Sequence, residues 1–349
     1  MAARGIRIVD MKIITFGELL LRFSPSHYAK IREQEHMIMN VGGAEANVAV
    51  SLSNMGLDVH YISRVPSNEL TQFCIRDLAK NLVKIDHMQY GGKRLGLYFV
   101  ESGNSVRSGK VIYDREDSSF AEITPGMIDW EEVMKGADWF HWTGITPALS
   151  LGAAYACQEA IQKAKELGLT VSGDLNYRKK LWNYEKTPNQ IIPGFIDKTD
   201  VLVCDVNSCE IMADVKISRK EAPYAEQLEE CFQALHKKYP NLSLSSSLMR
   251  DILNHSHHCI KGALYSGGKM TYAEPQDIYP VIDRIGGGDA YMSGLIYGLI
   301  HYKEDLEKVI NFATATSALK HTIQGDFNSF SADEIKALME GGKNKNVER

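Results

Sequence analysis

Short apolar runs alternate along this chain with longer segments of helical period, and no other feature restricts its fold as strongly. Strand-like runs fall at 12–17, 58–64, 137–143, 169–174, 200–204 and 259–265. Helical patterns fall at 43–56, 68–80, 151–167, 224–238, 288–301, 305–320 and 331–340. A strand such as Leu169-Thr170-Val171-Ser172-Gly173 is bounded by patterns of ten or more residues. Repeated β-α-β order implies an α/β fold, a mostly parallel sheet with helices on both faces. In such sheets ligands bind beyond the carboxyl ends of the strands.

The segment 95–115 breaks this rhythm. Leu95–Glu101 and Lys110–Arg115 flank a polar turn around Ser102-Gly103-Asn104, which reads as a β-hairpin. Together with 18–38 it is expected to form a small β-sheet beside the main one, a lid with segments at about 18–38 and 93–118. With 349 residues and no linker or repeat, one domain over 11–340 is expected, preceded by an extension, 1–10, and followed by a glycine-rich, charged tail, 341–349, that frays. The 39 basic and 44 acidic residues are mixed, for a net charge of −5, so there is no electrostatic footprint for nucleic acid or an anionic membrane. No uncharged apolar run has the ~18 residues of a membrane span. Six cysteines without a C-x-x-C pair read as reduced thiols of a cytoplasmic protein.

Chemistry is densest at Asp283-Arg284-Ile285-Gly286-Gly287-Gly288-Asp289. Three glycines allow a tight turn and a close approach of backbone N–H groups to a ligand. The residues that follow are helical in pattern, with Ala290, Gly294 and Gly298 on one thin face. A glycine turn opening a helix offers free N–H groups and a positive dipole end, which suits an anion. Asp289 stands where a carboxylate could take a proton from a hydroxyl attacking that anion; the bland alternative is a first-turn Asp that merely caps the helix. The helix N-terminus is expected to keep Asp289 ionised, a weak base. The pieces suggest phosphoryl transfer to an alcohol.

Other constellations admit two readings each. Gly42-Gly43-Ala44-Glu45-Ala46-Asn47 opens a helix, either as a plain start with small packing residues or as a backbone cradle with Asn47 donating and accepting. Asp174-Leu175-Asn176-Tyr177-Arg178 follows a strand, so Arg178 can grip a carboxylate or phosphate, or else form a solvated turn with Asp174 in an Asx-turn. Asn207 and Glu210 share one face of a starting helix, as a capping box or as groups serving a hydrated Mg²⁺. His255-Ser256-His257-His258-Cys259 matches no zinc spacing and reads as a polar loop before a strand. Tyr98, Tyr113 and Arg115 lie on the hairpin, where tyrosine is common for strand reasons alone. A P-loop, a nucleophile elbow and the protein-kinase signatures are absent, and no G-x-G-x-x-G follows the first strand.

Gly42-Gly43-Ala44-Glu45-Ala46-Asn47, Asn207-x-x-Glu210 and Asp283-x-x-Gly286-Gly287-Gly288-Asp289, in this order and spacing, resemble the ribokinase (PfkB) family of sugar kinases. The resemblance spans roughly 11–340 and implies a Rossmann-like (ribokinase-like) domain with a small β-sheet lid. Phe16–Pro25, Asp174–Trp182 and Ser317–Asn328 are most similar to the branch that phosphorylates 2-keto-3-deoxygluconate. Carried over by position, Asp289 is the base and Gly286, Gly287 and Gly288 the anion hole. Gly43, Asn47, Tyr98, Tyr113, Arg115 and Arg178 contact a sugar acid. Asn207, Glu210, Arg250 and Asp283 serve the nucleotide phosphates, with Glu210 holding Mg²⁺ through water.

The family's usual Gly-Ala-Gly-Asp turn carries Gly287 for the alanine here. Its T-x-G-x-x-G nucleotide loop is replaced by Ser245–Asp251 and an extra loop to His258, in which Arg250 is a candidate for contacts to ATP. The resemblance implies ATP and Mg²⁺ as cofactors, with a monovalent cation such as K⁺ a further candidate, and a homo-oligomer. The expected reaction is phosphorylation of a terminal hydroxyl, of 2-keto-3-deoxygluconate to its 6-phosphate. The alternatives are a kinase for a neutral sugar such as fructose, and an inactive sugar-binding regulator on the same fold. Two arginines, Arg115 and Arg178, around one cleft call for a counter-charge, which a substrate carboxylate would supply.

Overall fold

The structure, a computed structural model, describes residues 11–26 and 28–341; the extension 1–10 and tail residues 342–349 lie outside the described residues. At its centre β1 (Lys12–Phe16) is buried on both faces, with Ile13 packed on one side and Ile14 and Phe16 on the other. That continuous apolar run is what a central parallel strand requires. Beside it lies β4 (Asp58–Ile62), and on the other side follow β9 (Trp139–Thr143), β10 (Thr170–Asp174), β11 (Val201–Val203) and β12 (Leu244–Asn254), all in parallel pairs. The edge turns antiparallel through β13 (His257–Ser266), which pairs β14 (Lys269–Tyr272) and β15 (Gln276–Ile278). The chain leaves β1 toward β4 and later returns to β9 on the opposite side, so a crevice opens at the carboxyl end of β1.

Helices cover both faces. On one lie α3 (Trp130–Val133), α4 (Thr146–Leu149), α5 (Leu151–Glu166), α6 (Pro188–Ile196), α7 (Val206–Met212) and α8 (Tyr224–Lys238). On the other lie α1 (Ala44–Asn54), α2 (Glu69–Lys80), α9 (Gly287–Tyr302), α10 (Leu306–Lys320) and α11 (Ala332–Met339). The thin face of α9 is where α10 approaches: a Cβ at Gly294 would stand 2.6 Å from Thr316 Oγ1, and one at Gly298 3.0 Å from Val309 Cα.

A second sheet holds β2 (Leu20–Ser24), β3 (Ile38–Gly42), β7 (Gly96–Glu101) and β8 (Lys110–Asp114) in the order β3-β2-β7-β8. The expected hairpin is the antiparallel β7–β8 pair, with Tyr98 opposite Tyr113. The partner segment runs slightly past the expected 18–38, because β3 begins where that range ends. A two-stranded pair, β5 (Arg64–Val65) with β6 (Gln89–Tyr90), completes the sheets.

One expectation is corrected. The stretch from Ser245 to His258 is not a loop but two paired strands, with Asn254 to His257 as the turn. Three serines in a row carry no strand signal of their own, but Ser245, Ser246 and Ser247 are buried between β11 and β13, and Ser246 Oγ donates to the Ala263 carbonyl at 2.9 Å. Pairing with distant strands decides the conformation here, as β propensity commonly yields to context.

Candidate active site

The glycine turn sits at the start of α9, and its three glycines have three different reasons. Gly286 caps the helix in the left-handed region, φ 78°, and a Cβ on it would overlap the Asp326 carbonyl oxygen. A Cβ on Gly287 would overlap the His321 ring. At Gly288 the nearest atom to a Cβ is Arg250 Nη2 at 3.6 Å, so this glycine faces open space. The Ser317 hydroxyl donates to the Gly287 carbonyl at 2.8 Å and the Gly287 N–H to Arg284 O at 3.2 Å. The N–H groups of Gly288 and Asp289 find no acceptor among the described residues. Two free donors at the positive end of a 16-residue helix make an anion hole.

Asp289 stands beside this hole and is 9% exposed. Its Oδ2 accepts from Asn47 Nδ2 at 2.7 Å, a bond that ties the start of α1 to the start of α9. Asn47 Oδ1 is buried without a partner and is free to accept from a hydroxyl. Burial pushes the Asp289 carboxyl up from 3.8 to about 6, against the lowering pull of Asn47 and of Arg178. Burial thus opposes the helix end expected to favour the ionised form, yet at about 6 the carboxyl is still mostly ionised at pH 7. Asp174, at the end of β10, is raised to about 7 by burial and then by Asp289. Its Oδ1 also accepts from Asn176 N–H at 3.0 Å, the Asx-turn of the bland reading. At Gly43, φ is 133° and a Cβ would overlap the Glu18 carbonyl, which fixes glycine at the mouth of α1.

The two arginines expected to share one role differ. Arg178 is exposed, its Nη1 donates to the adjacent Tyr177 carbonyl at 3.2 Å, and no carboxylate pairs with it among the described residues. Its charge lowers both Asp289 and Asp174. Arg115 is buried, with Nε 2.6 Å from Glu18 Oε2, whose other oxygen accepts from Ser118. The idea that both arginines lack a counter-charge is thus corrected for Arg115: Glu18 provides it. Tyr113 packs against Ile145 and Leu181 at the edge of the crevice. Tyr98 is buried and donates its hydroxyl to Asp326. A small cleft of about 40 Å³ between the second sheet and the start of the glycine turn is lined by Val100, Glu101, Lys110, Arg284 and Ile285, among others.

The capping reading of Asn207 and Glu210 is corrected as well. Asp205 caps α7, accepting from Ser208 N–H at 2.6 Å, while Asp205 N–H donates to Ser208 Oγ at 3.0 Å. That leaves Asn207 exposed and Glu210 with only Lys220 at 3.4 Å, at the carboxyl end of β11. Among the described residues no three His, Cys, Asp or Glu side chains are gathered as a metal cage. Arg250, on β12, reaches over Gly288; its side chain is open to solvent along part of its length yet densely surrounded by protein. Burial, then the charges of Arg284 and Arg178, lower its guanidinium.

Asp283 lines the cleft at its edge but is committed to protein partners. Its Oδ2 accepts from Arg22 Nη2 at 2.6 Å and from Gly325 N–H at 3.2 Å, and its Oδ1 from Ile285 N–H at 3.0 Å. Arg22, Asp326 and the buried Lys320 were not singled out from sequence. The available signal was a lone charge, Arg22, inside the apolar run Leu19–Phe23.

The geometry and the sequence agree with proteins of known class. The pfkB family carbohydrate kinase model matches residues 10–246 and 258–332, leaving out most of β12 and the whole β12–β13 turn. A 2-dehydro-3-deoxygalactonokinase of Haloferax volcanii is 29% identical over 331 residues, covering 95% of this chain and 97% of its own. A probable fructokinase of Arabidopsis thaliana is 24% identical, covering 93% and 90%. The crystal structure of a 2-dehydro-3-deoxygluconokinase from Thermotoga maritima superposes with a TM-score of 0.90 at 35% identity, covering 95% of this chain and 99% of that one. By the span of the family match and by these relatives, the chain belongs to the pfkB family of carbohydrate kinases.

Proposed function

We propose that this chain transfers the γ-phosphoryl group of ATP to the terminal hydroxyl of a 2-keto-3-deoxy sugar acid, with 2-keto-3-deoxygluconate as first candidate. The hydroxyl oxygen bonds to the γ-phosphorus, the bond to the β–γ bridging oxygen breaks, ADP leaves, and Asp289 takes the hydroxyl proton. The N–H groups of Gly288 and Asp289 and the Arg250 guanidinium meet charge on the transferred group. Asn47 holds Asp289 and offers Oδ1 to the acceptor; Gly43 and Tyr113 line the acceptor's side, and the lid excludes water. Mg²⁺ needs only one or two carboxylates beside phosphate and water, so Glu210 with Asn207 suits it without a preformed cage. When bound, the ion neutralises phosphate charge.

The observation that carries the substrate class is Arg178, an exposed guanidinium with no carboxylate partner among the described residues, close enough to Asp289 to lower it. Arg115 serves instead by holding Glu18 at the root of the lid. The second reading, a neutral ketose, has the fructokinase similarity in its favour. A coupled ADP-release screen decides between them, run over 2-keto-3-deoxygluconate, its galactonate epimer, fructose and ribose. The sugar acids should exceed the neutral sugars by roughly 10- to 100-fold in kcat/KM, the worth of one charge-assisted pair. Equal turnover of fructose refutes the sugar-acid reading, and ADP release with none of them refutes catalysis in favour of a sugar-binding regulator.

A further inference from the structure

Behind the glycine turn lies a cluster of charges that the chemistry above does not use. Arg22, on lid strand β2, is 2% exposed. Its Nη2 donates to Asp283 Oδ2 at 2.6 Å, and its Nε lies 3.0 Å from Asp326 Oδ1 without the alignment of a hydrogen bond. Asp326 is also buried and accepts from the Tyr98 hydroxyl on β7. Lys320 Nζ, fully buried, lies 3.4 Å from the carbonyls of Asp283 and Ile323. Burying such ions is costly, and well-packed apolar residues usually serve stability as well or better. Stability alone is therefore a weak reason for the cluster.

Its placement supplies another. The cluster joins the lid to both walls of the glycine turn. Asp283 opens the turn and fixes it through Ile285 N–H. Asp326 forms the opposite wall, with its carbonyl against Gly286. Asp283 also accepts from Gly325 N–H, so the two walls are linked directly. Arg22 is the group that touches both carboxylates, and it arrives on the lid.

We propose that Arg22 is a positioning residue for phosphoryl transfer: from the lid it draws Asp283 and Asp326 together and so sets where the Gly288 and Asp289 N–H groups point. Seating of the lid and formation of the anion hole are then one event. This inference rests on the kinase reading of the glycine turn.

The test is binding of ADP alone against ADP with aluminium fluoride, a planar mimic of the transferred group, by calorimetry well below the unfolding temperature. The parent should bind the fluoride complex far more tightly. Arg22→Lys keeps a charge but loses the fork that reaches two carboxylates. It should lose at least about 10-fold of that preference and the same factor in kcat, with ADP affinity and acceptor KM within about threefold. A stability control uses Arg22→Met, which strands two carboxylates, and Arg22→Met with Asp326→Leu, which strands one fewer. The double variant should regain unfolding temperature relative to Arg22→Met but not regain the preference. A variant series in which preference returns with stability shows a structural role only and overturns the proposal, as does an unchanged preference in Arg22→Lys. A parent with no preference refutes the phosphoryl site itself, and the inference with it.

Discussion

Replacing Asp289 by Asn should cost activity and strengthen the fold, and both effects follow from one carboxylate. Its pKa rises from 3.8 to about 6 in the folded protein. Above pH 6 the folded state holds an ion that the unfolded state solvates better, so the ionised group destabilises the fold there. The difference is about 2.2 pH units, or about 3 kcal/mol at pH 7. Linkage lowers that penalty as pH falls through 6, to about 1–2 kcal/mol at pH 5 and less than about 1 kcal/mol at pH 4. Asn removes the ion but buries an NH₂ group next to the Asn47 amide, which takes back about 1–2 kcal/mol. The net expectation is a gain of about 1–2 kcal/mol at pH 7 that is gone near pH 5 and becomes a loss of about 1 kcal/mol by pH 4, read from urea midpoints with an unchanged slope.

Turnover should move the other way. Without a proton acceptor, kcat should drop by about 10²-fold or more. In the parent, kcat/KM should fall tenfold per pH unit below about 6, where Asp289 is protonated, and that limb should be missing from the residual activity of the variant. A kcat within a few-fold of the parent shows that Asp289 is not the base. A variant clearly less stable than the parent at pH 7 shows that the ionised carboxylate is no burden on the fold, and the pKa argument fails.

Gly288→Val should fold normally, because its Cβ meets only Arg250 at 3.6 Å, yet lose nearly all activity by filling the anion hole. Gly286→Ala should lower stability by about 2 kcal/mol or more, since φ is 78° and the Asp326 carbonyl occupies the space; thermal unfolding of the two variants side by side checks the contrast. Arg178→Ala should raise KM for the sugar acid by roughly 10- to 100-fold with a smaller change for ATP. Initial-rate kinetics that move only the ATP constant assign Arg178 to the phosphates instead.

The elements legible in the sequence are those with local punctuation. The expected helix 68–80 is Glu69–Lys80, capped by Asn68 accepting from Thr71 N–H at 3.0 Å. The expected helix 331–340 is Ala332–Met339, opened by the Ser331–Glu334 capping box. α6 is absent from the helices expected from sequence; it starts at Pro188, where proline is tolerated, and carries Pro193 inside, which weakens its helical pattern. β12 was hidden because its serines gain strand character only from neighbours far along the chain. The glycine turn was legible because its chemistry is contiguous. Arg115 and Arg178 look alike in sequence. They differ because Glu18, 97 residues from Arg115, is carried to it by the lid, and no spacing rule encodes that pairing.

What sequence reasoning could not weigh was burial. Three carboxyls around the crevice are lifted by it: Asp289 to about 6, Asp174 to about 7 and Glu45 to about 7. Glu45 is fully buried, with Oε1 accepting from Thr143 and Thr146 at 2.7 and 2.8 Å and Oε2 unpartnered. Raised carboxyls gathered in a cleft are what a proton-transfer site needs. Formal charge therefore overstates the negative character of this cleft near neutral pH. Such a cleft can admit two anions, a nucleotide and a sugar acid, with Arg178 and Arg250 at its rim and few ionised carboxylates within. Arrival of those anions and closure of the lid disfavour the ionised form of Asp289 further, by like charge and by desolvation. Arg178 opposes that rise. The guanidinium proposed here for the acid thus also favours the ionised form of the carboxylate proposed as base.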